Sequence, residues 1–213
     1  KPDLSFCCVY KNASFLPGYE TYVCSEGETL LSVRKKVQKY YIDVMNKEAV
    51  DAFIRETHEK YYERFKEEFG TGMKGFFTDE PRFTCNRFGE LAWSDKLPGE
   101  FFDRYGYDIL EVMPLLWREY QGFEKVRYDF WRACNDMFVK SYMKNIYDWC
   151  EAHNCMLTGH IMLEESIFGQ MTSTGGVMPC YEYEHIPGID WLRRRIESPV
   201  IGKQVGSVAC QLG

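Results

Sequence analysis

The chain has 213 residues, of which 45% are hydrophobic and 27% charged, and its formal net charge is −6. These values are typical of one folded globular domain and argue against a disordered segment. The negative charge argues against a nucleic-acid-binding protein, which needs a basic face for the phosphates. No apolar run is long enough for a membrane-spanning helix, so no membrane partner is expected.

The first predicted element is a buried strand at residues 4–10, where apolar side chains and two cysteines follow one another. The chain starts at Lys1-Pro2-Asp3, immediately before this strand and without a signal peptide, so we expect a fragment of a larger protein. Residues 11–40 contain two Gly-containing turn signals, and we expect an irregular loop or insertion there.

A helix is predicted over residues 46–69. Asn46 is a typical N-cap, apolar residues recur at helical spacing, and Gly70 is a typical C-terminal stop. A short buried strand follows at residues 74–78 and ends in Asp79-Glu80-Pro81. Proline cannot donate to a central strand, so the strand must end at this point.

The second half of the chain contains a long helix and a second buried strand, at residues 155–160, which ends in His160. Residues 177–185 are compatible with either a helix or an edge strand. The other predicted elements, in chain order, are helices at 100–105, 109–120 and 123–152, a short strand within 186–191 and a final helix at 203–212.

Strands that alternate with helices of ten or more residues are typical of a parallel α/β arrangement. An open doubly wound sheet and a (β/α)8 TIM-type barrel both fit this order. No Gly-rich turn follows the first strand, as a nucleotide-binding sheet would require. Polar residues lie instead at the carboxyl ends of strands, where barrel enzymes hold their chemistry. The sequence therefore favours an incomplete (β/α)8 barrel, as a single partial domain over residues 1–213.

Asp79 and Glu80 are the strongest candidates for a catalytic role. Successive side chains of a strand point to opposite faces, so the two carboxylates should point in different directions. Burial raises the pKa of a carboxyl group, which suits a general acid near neutral pH. The alternative is a pair of strand-end carboxylates that only caps the following turn.

Further polar or aromatic residues follow the two later strands: His160, Glu164, Glu165, Asp190 and Trp191. For His160, Glu164 and Glu165 the sequence alone slightly favours a surface loop, unless Glu80 and His160 end neighbouring parallel strands. In that case both side chains project into one pocket, and the later loop makes a third contribution. A metal site built from Asp79, Glu80 and His160 is the other chemistry that these residue types allow.

An ordered set of segments resembles the catalytic barrel of bacterial-type glycoside hydrolases similar to the α-L-rhamnosidases. The resemblance covers residues 40–213, and its most specific element is Thr78-Asp79-Glu80-Pro81. The segments that carry it are 41–50, 75–81, 101–106, 159–160, 164–165 and 186–190.

This resemblance implies hydrolysis of a glycosidic bond by two carboxyl groups, with Glu80 as the acid after the equivalent of the fourth strand. It implies no metal and no cofactor. It also implies a sugar site lined by Asp79, Arg82, His160, Glu164, Glu165, Asp190 and Trp191. In such barrels the second carboxylate follows the seventh strand. We expect it beyond Gly213 and expect the chain alone to be inactive.

A non-catalytic carbohydrate-binding or structural barrel domain is the alternative function. A further strand ending in Glu, encoded after Gly213, would favour the enzyme. The expected partner is a carbohydrate, together with self-association through unpaired edges of the incomplete barrel. The nine cysteines show no zinc-type spacing, which favours reduced thiols and a cytoplasmic location.

Overall fold

The structure is a computed structural model that describes residues 7–11, 14–16, 25–26, 30–83, 90–191 and 198–212. Contacts divide the chain into two compact units, one of residues 1–41 and 95–133 and the other of residues 42–94 and 134–213. A single partial barrel domain over the whole chain therefore stays a prediction.

The first unit contains a three-stranded antiparallel sheet in the order β2-β1-β3. The strands are β1 (Cys7–Lys11), β2 (Ser14–Phe15) and β3 (Leu30–Arg34). The strand predicted at residues 4–10 is present from Cys7 onward, and residues 4–6 lie outside the described part of the chain. The expected irregularity of residues 11–40 is wrong for β2 and β3, because both strands satisfy their backbone groups by pairing with β1.

Two helices of the first unit are α3 (Leu97–Tyr105) and α4 (Ile109–Val112), and a 3-10 turn continues α4. α3 begins three residues before the predicted start, because Pro98 fits the first helical turn. It ends where Gly106 adopts a left-handed conformation with φ of 74°. The Asp108 carboxylate then accepts a 2.8 Å hydrogen bond from the Leu110 amide and caps α4.

The second unit is built on a parallel sheet in the order β4-β5-β6. These strands are β4 (Gly75–Asp79), β5 (Met156–His160) and β6 (Ile186–Pro187). Asp79 lies opposite His160 in the register, and Thr158 lies opposite Ile186. The prediction that these three segments form parallel strands of one sheet is confirmed. A Cβ at Gly159 would lie 2.2 Å from the Thr78 carbonyl oxygen, so glycine permits this close approach.

The helices of this unit include α1 (Lys47–Glu56), α2 (His58–Phe65), α6 (Lys144–Ala152), α7 (Ile167–Thr174), α8 (Met178–Tyr181) and α9 (Val200–Leu212). Four of them, α1, α2, α6 and α9, lie where helical periodicity predicts helices, with altered bounds. No helix was predicted at α7, and α8 lies in the segment that the sequence left open between a helix and an edge strand. α5 (Phe123–Phe138) starts in the first unit, and a π-helical segment, Val139–Met143, joins it to α6.

The helix predicted over residues 46–69 is interrupted at Thr57. The Thr57 backbone has φ of −122° and ψ of −77°, outside the helical region. Its hydroxyl donates a 2.7 Å hydrogen bond to the Phe53 carbonyl, a local bond that competes with helix continuation. Asn46 is the N-cap, as predicted, and its side chain accepts from the Glu48 amide.

Apolar side chains of α1, α6 and β5 meet in one core on one face of the parallel sheet. Its buried members are Val50, Ile54, Phe69, Ile146, Cys150, Cys155 and Leu157. Phe76 of β4 packs against this core. Its ring centroid lies 4.3 Å from the ring centroid of His58 and 5.6 Å from that of Trp149. The second unit is thus a mixed α/β structure with a small parallel sheet.

Five of the six cysteines whose side chains the structure describes are buried, and all six are free: Cys8, Cys134, Cys150, Cys155, Cys180 and Cys210. Burial raises the pKa of the Cys134 and Cys150 thiols well above the usual range, so they act as small apolar groups. Within the described ranges, no helix has both the length and the apolar character needed to cross a membrane.

Candidate active site

The carboxyl ends of β4 and β5 lie side by side because the strands are parallel and in register. The Glu80 amide donates a 3.2 Å hydrogen bond to the His160 carbonyl, which extends the pairing one residue beyond β4. Glu80 has φ of 51°, a left-handed conformation that is unfavourable for a residue with a side chain. The extended backbone of β4 therefore ends before Glu80, and the Glu80 side chain does not follow the alternation of side chains along the strand.

Asp79 and His160 contact each other on the face of the sheet opposite the helical core. The Nε2 atom of His160 lies 3.0 Å from Oδ1 of Asp79, whose side chain is 78% exposed. The Phe77 ring, two residues earlier on the same face, lies 5.7 Å from the imidazole. The Nδ1 atom of His160 is buried and makes no hydrogen bond to any described residue. The contact between Oδ1 of Asp79 and Nε2 of His160 therefore holds the imidazole in place.

Glu80, His160 and Asp190 come together although they belong to three separate chain segments. One carboxylate oxygen of Glu80, one of Asp190 and one imidazole nitrogen of His160 all lie within 4.8 Å of one another. The condition set by the sequence, that Glu80 and His160 end neighbouring parallel strands, is met, and Asp190 joins them after β6. We call these three residues the strand-end cluster.

The strand-end cluster has a donor set that suits a divalent cation. Two carboxylates and one imidazole are ligands that zinc and similar ions accept. The sequence pattern allowed a metal site from Asp79, Glu80 and His160, and the structure places Asp190 in the group instead of Asp79. The same three groups can equally hold a sugar hydroxyl and protonate a leaving oxygen.

Glu164 does not line an open sugar site in this structure, contrary to the expectation from the resemblance. Its side chain is 1% exposed, and its Oε2 accepts hydrogen bonds from the Ile161 amide at 3.2 Å and the Tyr181 hydroxyl at 2.8 Å. Its Oε1 accepts from the Asp190 amide. The left-handed turn at Leu163, with φ of 58°, directly precedes Glu164, and the partners Tyr181 and Asp190 that enclose the carboxyl group lie far along the chain.

The other predicted site residues lie at or near the surface. Glu165 is exposed, and Trp191, next to Asp190 in the chain, is 48% exposed. Arg82 is half-buried, two residues after Glu80. Their proposed contacts with a sugar stay predictions. A nearby depression of about 380 Å³ is lined by Ile189 and by residues around the start of α9, none of them a predicted site residue.

Sequence reasoning missed a buried carboxyl group beside Glu164. Glu184 is 5% exposed, and burial raises its pKa to about 8. The nearby carboxylate of Glu164 adds to this shift, and the backbone N–H of Gly188 opposes it. Residues 177–185 show no periodicity that would mark one acidic residue as buried. No signal in the sequence could have found this group.

No protein-family model matches the chain, and no curated protein matches it. Among solved structures, the chain is similar to a rhamnosidase from Novosphingobium sp. PP1Y, at 20% sequence identity and a TM-score of 0.58. The similarity covers 79% of this chain and 16% of that one. At this level of identity the likeness concerns the fold alone. The chain spans less than a fifth of the length of this solved relative.

Proposed function

We propose that this chain is part of a glycoside hydrolase and that Glu80 is its general acid. The observation that carries the proposal is the convergence of Glu80, His160 and Asp190 at the carboxyl ends of parallel strands. Carboxyl groups at this position are typical of barrel enzymes that hydrolyse glycosidic bonds. The fold likeness to a rhamnosidase supports the same reading and makes rhamnosides the first substrates to test.

The parallel sheet is proposed to belong to a (β/α)8 barrel. Helices cover the face of Phe76 and Leu157, as they cover the outside of a barrel. The opposite face exposes Phe77 on β4 and, across β5, Ile186 on β6, which are 62% and 52% exposed. In a closed barrel this face would be the packed interior. Within the described chain, β4 and β6 each pair on one side, and such edges favour self-association.

Each member of the strand-end cluster has a proposed role. Glu80 protonates the leaving oxygen, while His160, held by Asp79, and Asp190 bind sugar hydroxyls. In similar barrels the second catalytic carboxylate follows the seventh strand, and we assign it to the protein outside these 213 residues.

The test is Glu80→Gln in the full-length protein. This variant keeps the shape of the side chain but has no transferable proton, so hydrolysis of natural glycosides should fall by about 10²- to 10⁴-fold. An activated aryl glycoside, whose leaving group needs little protonation, should lose much less. Glu63→Gln, the same change at an exposed position of α2 outside the predicted sugar site, is the matched control and should keep its rate.

Three outcomes are informative. Near-normal hydrolysis of natural glycosides by Glu80→Gln would exclude Glu80 as the acid. Equal losses on both substrate types would assign Glu80 to sugar binding or to the fold. Sugar binding without hydrolysis by the wild-type protein would favour the alternative, a carbohydrate-binding domain.

A divalent-cation site is the second candidate function, favoured by the donor set of the strand-end cluster. It predicts that Glu80→Gln, His160→Ala and Asp190→Asn all weaken zinc or calcium binding in a titration. It also predicts that a chelator abolishes any activity. Under the first proposal Glu80→Gln removes acid catalysis, and a chelator leaves hydrolysis by the wild-type protein unchanged.

A further inference from the structure

Two of the three residues of the strand-end cluster lie on loops that are far apart in sequence. His160 ends β5, and Asp190 follows β6 thirty residues later. The pairing between β5 and β6 ends at Gly159 and Pro187, before either residue. Backbone pairing within the sheet therefore does not set the distance between His160 and Asp190. Another contact has to do so.

The Glu164 carboxylate supplies that contact by joining the two loops. One oxygen, Oε2, accepts from the amide of Ile161, the residue directly after His160, at 3.2 Å. The other, Oε1, accepts from the amide of Asp190 itself. Both amides donate to one buried side chain. One carboxylate thus connects the backbones of His160 and Asp190.

The backbone of Glu164 is held independently of its carboxylate. The Gln170 side chain donates a 2.7 Å hydrogen bond to the Glu164 carbonyl, and the Ser173 hydroxyl donates a 2.7 Å bond to the Met162 carbonyl. Both donors are on α7, whose side chains at these positions are buried. The turn should therefore survive a change of the carboxyl group, and the effects should be confined to the Ile161 and Asp190 amides.

We infer that Glu164 is a positioning residue that sets the separation of His160 and Asp190. This inference rests on the proposed function, since the reaction is what the separation serves. Glu164 touches no substrate, because its side chain is sealed from solvent. It acts through the two loops, and a displacement of about 1 Å in a catalytic site is enough to cost about 10²-fold in rate.

The experiment compares Glu164→Gln with Tyr181→Phe in the full-length protein. The Gln amide cannot accept from both backbone amides, because one of its two ends is a donor. We expect kcat to fall by about 10²-fold with KM changed by less than about 3-fold. Tyr181→Phe removes the third donor to the same carboxylate but leaves both loop contacts. It should lower the melting temperature to a similar extent and keep kcat within about 3-fold.

Hydrogen exchange provides a readout that is independent of activity. In Glu164→Gln the amides of Ile161 and Asp190 should exchange faster, whereas in Tyr181→Phe and in the exposed control Glu165→Gln they should stay protected. If the Gln variant does not fold, Glu164→Asp replaces it. That variant keeps the charge, but it is one methylene too short to reach both amides.

Unchanged exchange at Ile161 and Asp190 in Glu164→Gln would overturn the inference. Losses of kcat in Glu164→Gln and Tyr181→Phe that both follow the melting temperature would overturn it as well, because they indicate a stability effect. A wild-type protein that hydrolyses no glycoside would refute the proposed function instead. The exchange of the two amides would then decide by itself whether Glu164 joins the loops.

Discussion

The two faces of the parallel sheet in the second unit differ in what covers them and in what they hold. On one face, Phe76 and Leu157 pack with helices α1, α2 and α6 in an apolar core. On the other face, Phe77 is exposed and the side chain of Asp79 contacts the imidazole of His160. Adjacent residues of one strand thus have opposite environments. The first face stabilises the unit, and the second carries the candidate site residues Asp79 and His160, because strand side chains alternate.

The adjacent phenylalanines provide the most direct test of this comparison, with the largest expected effect. Phe76→Ala removes a ring packed against His58 and Trp149 and should lower the free energy of unfolding by about 3–4 kcal/mol. Phe77→Ala removes an exposed ring and should change the free energy of unfolding by less than about 1 kcal/mol. Denaturant unfolding of the chain measures both values. Equal losses would show that both faces are packed.

The buried carboxyl group of Glu184, beside Glu164, allows a second test, in which stability is measured against pH. Its folded pKa of about 8 lies above the ordinary 4.5, and the groups acting on it or sensing its charge are Glu164, Cys180 and Tyr181. The folded state keeps a proton that the unfolded state loses. The free energy of unfolding should therefore fall as pH rises from about 4.5 to about 8, by about 2–4 kcal/mol.

Glu184→Gln keeps the size of the side chain and cannot ionise. Its free energy of unfolding should stay flat over this pH range relative to wild type, so the variant is the more stable one at pH 9. Parallel pH profiles for the two proteins would mean that Glu184 is hydrated or paired in the folded state.

His58 should give the opposite pH dependence in the apolar core. It is buried, and burial lowers its pKa from 6.5 to about 4. The unfolded state gains a proton that the folded state excludes. The free energy of unfolding should therefore fall as pH drops from about 6.5 to about 4, by about 2–3 kcal/mol. His58→Phe, which keeps a ring in the core, should remove this dependence. If the unfolding free energies of wild type and His58→Phe changed equally with pH, His58 would not be the source of this pH dependence.

Two of the side-chain helix caps, Asn46 and Ser166, provide the smallest predicted effects. Asn46 caps α1, which contributes Val50 and Ile54 to the core, and Asn46→Ala should cost about 1 kcal/mol in unfolding free energy. Ser166 caps α7 through a 3.0 Å hydrogen bond from the Gly169 amide. Because α7 exposes Ile167 at its start, Ser166→Ala should mainly speed amide exchange within that helix. A larger global loss for Ser166→Ala would reverse this ranking.

Much of the second unit could be predicted from sequence because its signals are local. Buried strands followed from short apolar runs, and the start of α1 followed from Asn46. The interruption at Thr57 was missed, because a single hydroxyl bond to Phe53 does not change the apolar periodicity. β2 and β3 were missed because their order depends on pairing with β1, which the sequence of each segment does not show.

The sequence by itself determined which segments carry the candidate chemistry, since a polar residue after a buried run must lie at a strand end. It placed Glu80 and His160 there, and the structure brings both together with Asp190. Only the tertiary structure decided that Glu164 is enclosed and that Glu184 is buried beside it. The partners of Glu164 include Tyr181 and Asp190, 17 and 26 residues further along the chain. Burial depends on many such contacts with residues far along the chain, and a local pattern of residues does not show them.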